Sequence, residues 1–521
     1  MVTGWVIRKN EYHDSVFLMR VAKRLSDREG ILQAAILMGT EKNKGLLVEI
    51  GVSGAEISNA TPNDLILAVK AESEQALTNV LATIDQWLSP DAGRAGKFNI
   101  RTLDEAMVRQ PHSNLAVISV PGAYAAREAQ KALECGLNVF LFSDNVPVEN
   151  ERSLKEFARK HGLIVMGPDC GTAIIGGVGV GFANVVRRGP IGVIGTSGTG
   201  IQEFTTLVHR AGSGISHAIG TGSRDLSDEI GGISMLSALD ALDVDMPTKA
   251  IAIISKPPDP TALAYLVPRI LQCHKPVVVC FLGLKKEPPH ANIRYQTAHT
   301  LDEAAALAVQ IATGNPPSRF RTDDSQFQAL ISKERAVMKP GQKYLRGIFA
   351  GGTFCYQAQQ VLQEAGLVVY SNAPLQGTFK LPDPLQSKDH TLVDMGADEF
   401  TAGRPHPMID ARLRRERLLA EGQDPQVAIL LLDFILGFNS SSDPAGELVA
   451  SITEAKAKAK ERRGFLSVVA SVCGTEEDPQ NFAGQVRKLQ EAGAVVFPSS
   501  AQAAHFCTVL LRSLPEAPHD R

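Results

Sequence analysis

Aromatic residues are scarce in this chain, 6% of 521 positions, and no block of one charge sign interrupts it. Its 53 basic and 56 acidic residues leave a formal charge of −3. Nucleic acid and anionic membranes select basic patches, and single strands select stacking rings, so neither partner is expected. No apolar run approaches the ~20 residues that span a bilayer. The opening MVTGWVIRKNEYHD also lacks the apolar stretch of a signal peptide. The cysteines, at 135, 170, 273, 280, 355, 473 and 507, form no CxxC pair and no His–Cys metal spacing. They read as reduced core thiols of a cytoplasmic protein, and no metal is expected.

What is present is an α/β, multi-domain pattern punctuated by glycine. At this length, three or so domains are expected. The 44% hydrophobic and 21% charged content is ordinary for a globular chain. A small N-terminal α/β layer and linker occupies 1–110, with strands at 5–7, 33–38 and 64–69 and helices over 16–25 and 74–88. A Rossmann-like unit follows at 111–188, a second parallel-sheet unit at 189–316, a polar linker at 317–341 and a third unit at 342–514. In 111–188, apolar strands at 114–120, 138–142 and 163–166 alternate with helices at 125–134 and 151–161. That alternation means a parallel sheet, whose ligands sit beyond the C-terminal strand ends. The tail at 515–521 reads as frayed.

Residues 189–232 organise the chain. The strand-like Ile191-Gly-Val-Ile194 runs into Gly195-Thr-Ser-Gly-Thr-Gly200 and then a helix with apolar residues at 201, 204, 208 and 211. Strand, glycine turn and helix aim backbone N–H groups and a positive helix end at an anion, and Thr196, Ser197 and Thr199 add hydroxyls at the cap. Gly198 belongs to that turn. A second turn holds Gly220, Gly222 and Arg224. The third unit repeats the device at Gly351-Gly352-Thr353, after the strand GIFA and before a helix over 354–364. The expected ligand is a phosphate or carboxylate. Lys256, in Ser255-Lys-Pro-Pro258 past a strand end, is either a cation held over these turns or a plain surface lysine.

Several ordered motifs carry a family resemblance: MGPDCGT, IGVIGTSGTGIQE, SHAIGTGSRDLSDEIGG and KPVVVCFLG, then IFAGGTFCYQAQQ, TLVDMG, VAILLLDFILGF and EAGAVVFPSS. The first group resembles the α subunit of succinyl-CoA synthetase, and the second resembles the C-terminal domain of its β subunit. Fused in one chain with SKPP, GRPHPMID and DNVPVE, the pattern resembles the FdrA family. The resemblance implies a Rossmann-like CoA-binding-type domain plus two flavodoxin-like domains. It also implies two facing helix ends, at Ser197–Thr199 and Gly351–Thr353, pointed at one phosphoryl group.

The departures are as informative. Synthetases carry a Gly-His-Ala-Gly loop with a phosphorylated histidine after KPVVVCFLG. Here the segment reads LKKEPPHANIRYQTAH, where His290 and His299 read as surface histidines. The glutamate expected near 255 is replaced by Ser-Lys-Pro-Pro, and no ATP-grasp portion is present. No cofactor is therefore assigned, CoA is doubtful, and phosphate or carbamoyl phosphate is the expected substrate. The FdrA resemblance implies a component of an oxamate carbamoyltransferase in allantoin-derived nitrogen breakdown, converting oxalurate and phosphate to oxamate and carbamoyl phosphate. It would act as a homo-oligomer with other carbamoyltransferase subunits on a small-molecule substrate. Lys256, Arg224 and Arg404 are the candidate cations, Arg suiting bidentate carboxylate binding. His406, between Pro405 and Pro407, is either an acid or base or a loop brace. Asp169, Asn439 and Ser440 are the candidate substrate contacts. An acyl-CoA synthetase subunit and a non-catalytic ligand-binding subunit are the alternatives.

Overall fold

The computed structural model describes residues 1–11, 13, 15–49, 51–88, 100, 102–284, 295–315, 323–401 and 404–514. His290, the tail at 515–521 and most of the stretch 89–101 lie outside them. The described residues are α/β throughout and form four sheets.

In the N-terminal layer, Leu65–Ala71 lies between Val2–Arg8 and Ile31–Met38, and both pairings are antiparallel. The helix expected over 74–88 is split into Glu74–Ala82 and Ile84–Leu88 at Thr83. The Thr83 hydroxyl bonds back to the carbonyls of Asn79 and Val80, which competes with helix continuation.

A three-stranded parallel sheet, Leu115–Ile118, Asn138–Leu141 and Val165–Met166, follows. It ends there. The hairpin Thr172–Ile175 and Val178–Gly181 turns on Gly176 and Gly177, both at positive φ, and pairs with the next sheet. The unit expected over 111–188 thus gives its last segment to its neighbour.

That neighbour has seven strands. Tyr295–Thr297, Val277–Phe281, Ala250–Ser255, Arg188–Gly195 and Ile215–Gly220 run parallel in that spatial order, and the hairpin adds the last two strands. The third unit is a seven-stranded parallel sheet ordered Phe379–Lys380, Val369–Ser371, His390–Asp394, Tyr344–Phe349, Val427–Ile435, Ser467–Cys473 and Val495–Phe497. Every residue of Val427–Ile435 is buried, as expected of a central strand covered on both faces.

The expected linker at 317–341 is corrected in part: it contains the helix Asp324–Val337. Phe327, Leu330, Ile331 and Glu334 share one face, and Phe327 packs on Phe497 and Phe506. Polar composition hid an apolar stripe of three residues, Phe327, Leu330 and Ile331. The linker before residue 111 likewise holds the short helix Leu103–Arg109.

The two large units are docked through buried polar bonds. Asn184 Nδ2 donates to Asp478 Oδ2 at 2.8 Å, and Thr475 Oγ1 donates to the Val185 carbonyl at 2.6 Å. Glu203 accepts from the Ser500 amide and hydroxyl, both at 2.8 Å. Six cysteines are buried, Cys135 is exposed, and all seven are free.

Candidate functional site

Each large sheet reverses its winding at a central strand, and the crevice beyond such a strand end is where α/β folds place ligands. In the first, Arg188–Gly195 lies between Ile215–Gly220 and Ala250–Ser255. In the second, Tyr344–Phe349 lies between His390–Asp394 and Val427–Ile435. Their C-terminal ends feed the helices Gly198–Arg210 and Gly352–Glu364. The helix starts meet: Ser197 Oγ lies 2.5 Å from Thr353 Oγ1. A β-carbon at Gly200 would stand 3.2 Å from Thr353 Cγ2, so a side chain there would press on Thr353.

Neither helix has a side-chain cap, so the first-turn amides of both remain available to a ligand. Ser197, Gly198, Thr199 and Gly352 are part-exposed, which leaves the junction open to solvent. Two of the amides leading into the second helix are used internally. Asp433 Oδ1 accepts from Ala350 at 2.8 Å, and Oδ2 accepts from Gly351 at 2.8 Å. Burial pushes the Asp433 pKa up, while Arg414, whose Nη2 is 2.8 Å from Oδ1, opposes the rise. The amides of Gly352 and Thr353 are thereby left for a ligand.

Lys256 is exposed and sits at this junction, its Nζ 4.4 Å from the centre of the Tyr356 ring. Asp394 ends the strand beside Tyr344–Phe349, and its Oδ1 accepts from Gly396 at 2.9 Å. Burial raises its pKa to about 6, with Lys256 opposing and Asp433 and Glu399 adding to the rise. His406 lies across Gly396 from it. Its Nδ1 accepts from the Met408 amide at 3.2 Å, which leaves the proton of the neutral ring on Nε2. Burial and then Arg414 lower its pKa to about 4. At neutral pH this histidine is an uncharged Nε2–H donor.

The other candidates lie elsewhere or are engaged. The Thr196 hydroxyl is 2.8 Å from Ser255 Oγ and turns away from the cap. Gly220 and Gly222 serve packing: a β-carbon at either would come within 2.5 Å of the Thr172 or Pro168 carbonyl. Arg224 is held by Glu151 and the Val146 carbonyl, above a buried Lys155 that bonds both Glu151 and Asp225. Asp169 has φ 56° and accepts from Ser223 Oγ at 2.9 Å. Desolvation by burial, with Asp144 and Asp398 adding to it, raises its pKa to about 6. Arg404 is exposed. Asn439 bonds the Gly181 carbonyl at 2.8 Å and Arg20 of the N-terminal layer at 2.9 Å, while the Ser440 hydroxyl is buried with no partner among the described residues. His299 is exposed.

Asp394, Asp433 and Arg414 were missed from sequence. A signal existed for Asp433, the one charged residue of VAILLLDFI. A carboxylate in so apolar a run needs a buried partner.

Residues 348–510 match the CoA-ligase family model and 186–281 match that of a CoA binding domain. Residues 1–101 match the AllF heavy metal-associated domain. The Escherichia coli (strain K12) protein YahF is 44% identical over 501 residues, 95% of this chain and 96% of its own. This chain belongs to the YahF family. The family member described here has the FdrA-like order of a CoA-binding-type unit followed by a CoA-ligase unit, and it falls in the succinyl-CoA synthetase superfamily. The alpha subunit of ADP-forming succinate–CoA ligase from Methanothermobacter thermautotrophicus is 26% identical over 240 residues, 45% of this chain and 76% of that one. The structure of ATP citrate lyase from Methanothrix soehngenii in complex with citrate and coenzyme A aligns over 79% of this chain and 83% of that one, at 14% identity and a TM-score of 0.34.

The groups these matches imply can be set against the residues present. Residues 1–101 of this YahF-family chain contain no cysteine and one histidine, His13. Among the described residues no group of three His, Cys, Asp or Glu side chains is placed to hold a metal ion. The N-terminal layer therefore does not fit a metal. An anionic group of a CoA-type cofactor does fit the uncapped Gly198 helix end, which lies inside 186–281. Among the described residues, no helix is long and apolar enough to cross a membrane.

Proposed function

We propose that this chain is the phosphate-binding component of a carbamoyltransferase that converts oxalurate and phosphate to oxamate and carbamoyl phosphate. The observation that carries the reading is the meeting of two uncapped helix N-termini, with Ser197 Oγ 2.5 Å from Thr353 Oγ1 and Lys256 beside them. Each helix end offers roughly half a positive charge and free N–H donors, which together preorganise a site for a multiply charged oxyanion. A phosphate oxygen attacks the ureido carbonyl, the C–N bond breaks, and the amide nitrogen of oxamate takes a proton. Phosphate binds the amides of 198–200 and 352–353 with Lys256. Arg404 receives the oxalurate carboxylate at the rim, and the neutral Nε2–H of His406 donates to a reacting oxygen. Asp169 contacts the ureido end, whereas Arg224 and Asn439 brace the surrounding loops. The oligomeric state, the partner subunits and the place in allantoin breakdown rest on the family resemblance, and the cytoplasmic setting on the scattered, free cysteines.

The test is ³¹P NMR of oxalurate and phosphate with the chain, alone and with its co-purifying subunits. Carbamoyl phosphate is expected with the subunits present. Its absence from every combination overturns the reading.

A second reading, an acyl-CoA synthetase subunit, is favoured by the CoA-ligase and CoA binding domain matches. It requires retention of CoA and a phosphorylated residue. Intact-mass measurement after incubation with acyl phosphate and CoA separates the two.

A further inference from the structure

The Gly352 helix start contains a feature that an anion site should not have: a carboxyl group at its mouth. A β-carbon at Gly352 would stand 2.6 Å from Asp394 Oδ2, so this oxygen touches the first residue of the helix. Oδ1 is occupied by the Gly396 amide, whereas Oδ2 has no hydrogen-bond partner among the described residues. The residue is 9% exposed. A β-carbon at Gly396 would lie 2.7 Å from His406 Nε2 and 3.2 Å from Asp394 Oδ1, which places both side chains around one small space. An ionised Oδ2 would repel a phosphate there, whereas a protonated Oδ2 would donate to it.

We propose that Asp394 is the proton-carrying residue of the anion site: anion binding at the Gly352 helix start takes one proton from solvent onto Oδ2, and Oδ2–H then donates to the bound oxyanion. This rests on the anion-site reading above. The stoichiometry is one oxyanion and one proton in, with no bond broken in the anion. In the transfer reaction the same proton is placed to reach the departing amide nitrogen.

The charged groups facing Asp394 come from each element around it. Lys256 approaches from the loop after Ala250–Ser255, Asp433 from Val427–Ile435 on the far side of Tyr344–Phe349, Glu399 from Asp398–Thr401 and His406 from its loop, while Arg414 stands behind Asp433. Burial dominates over all of them and raises the Asp394 pKa to about 6. His406, lowered to about 4, stays neutral above that range.

The test uses the full chain with sulfate, a tetrahedral anion that does not itself titrate near neutrality. Sulfate and phosphate binding are followed by calorimetry from pH 5.5 to 8. Sulfate affinity is expected to fall about tenfold per pH unit above 6, with about one proton taken up per anion at pH 7.5, read from two buffers of different ionisation enthalpy. Asp394→Asn is expected to bind sulfate with no slope and no uptake. Glu203→Gln is the control, because that carboxyl also titrates near this range, at about 7, and it should keep the slope. A flat wild-type profile, or a slope that survives Asp394→Asn, overturns this inference and leaves the carbamoyl phosphate assay untouched. No sulfate or phosphate binding at any pH overturns both readings. The wild-type slope and proton uptake decide the matter even if the variant does not fold.

Discussion

Arg414→Met probes the support beneath the anion site. Arg414 is 4% exposed, and one nitrogen, Nη2, donates to the Ile348 carbonyl at 3.0 Å, the Asp433 carbonyl at 2.7 Å and Asp433 Oδ1 at 2.8 Å. Methionine keeps the length and removes all three bonds and the charge. Asp433, 1% exposed, is then left without its cation, and removing one partner of a buried pair costs about 3–5 kcal/mol. The loss has a pH signature. The Asp433 pKa is already raised by burial, and without Arg414 it rises further. A carboxyl with a folded pKa above its unfolded one costs nothing at low pH, and the penalty grows as pH climbs from the unfolded value toward the folded one. The deficit is therefore expected to be largest at pH 8 and smaller at pH 5. Arg414→Met with Asp433→Asn should recover most of it, since asparagine still accepts from Ala350 and Gly351 without a charge. Hydrogen exchange at amides 350 and 351 reads the effect locally, because a chain of several domains need not unfold in one step. A deficit under about 1 kcal/mol, equal deficits at both pH values, or a double variant no better than the single one would refute the reasoning.

Three further outcomes are expected. Lys256→Ala should weaken phosphate binding about tenfold while changing stability by less than about 0.5 kcal/mol, since the side chain is exposed; unchanged phosphate affinity would remove the lysine from the site. Gly200→Val should force the two helix starts apart at Thr353, destabilise by about 1–3 kcal/mol and abolish sulfate binding, with helicity by circular dichroism retained. Glu203, whose pKa burial raises from 4.5 to about 7, favours folding with the proton on. The chain should thus lose up to about 3 kcal/mol between pH 4.5 and 8 from this group, and a Glu203→Gln variant with the same pH–stability curve would contradict it.

Local pattern was enough for much of this molecule. Ile191-Gly-Val-Ile194 could only be a buried strand, and an apolar stripe at 201, 204 and 208 could only be a helix packed on it, so the Gly198 helix start was legible at once. The Gly352 start was legible for the same reason, and βαβ alternation fixed parallel sheets. The helix Asp324–Val337 was not, because its stripe is short and set among polar residues. Three-dimensional arrangement decided the rest. That two helix starts touch through Ser197 and Thr353, 156 residues apart, depends on how two sheets dock, which no local period encodes. Burial likewise decided protonation. His406 between two prolines read as either a neutral-pH acid or base or a loop brace, and its surroundings lower its pKa to about 4, while Asp394, an ordinary strand-end aspartate in sequence, is raised to about 6. Residue type sets a reference proton affinity; only the packed dielectric and the charges around it set the actual one.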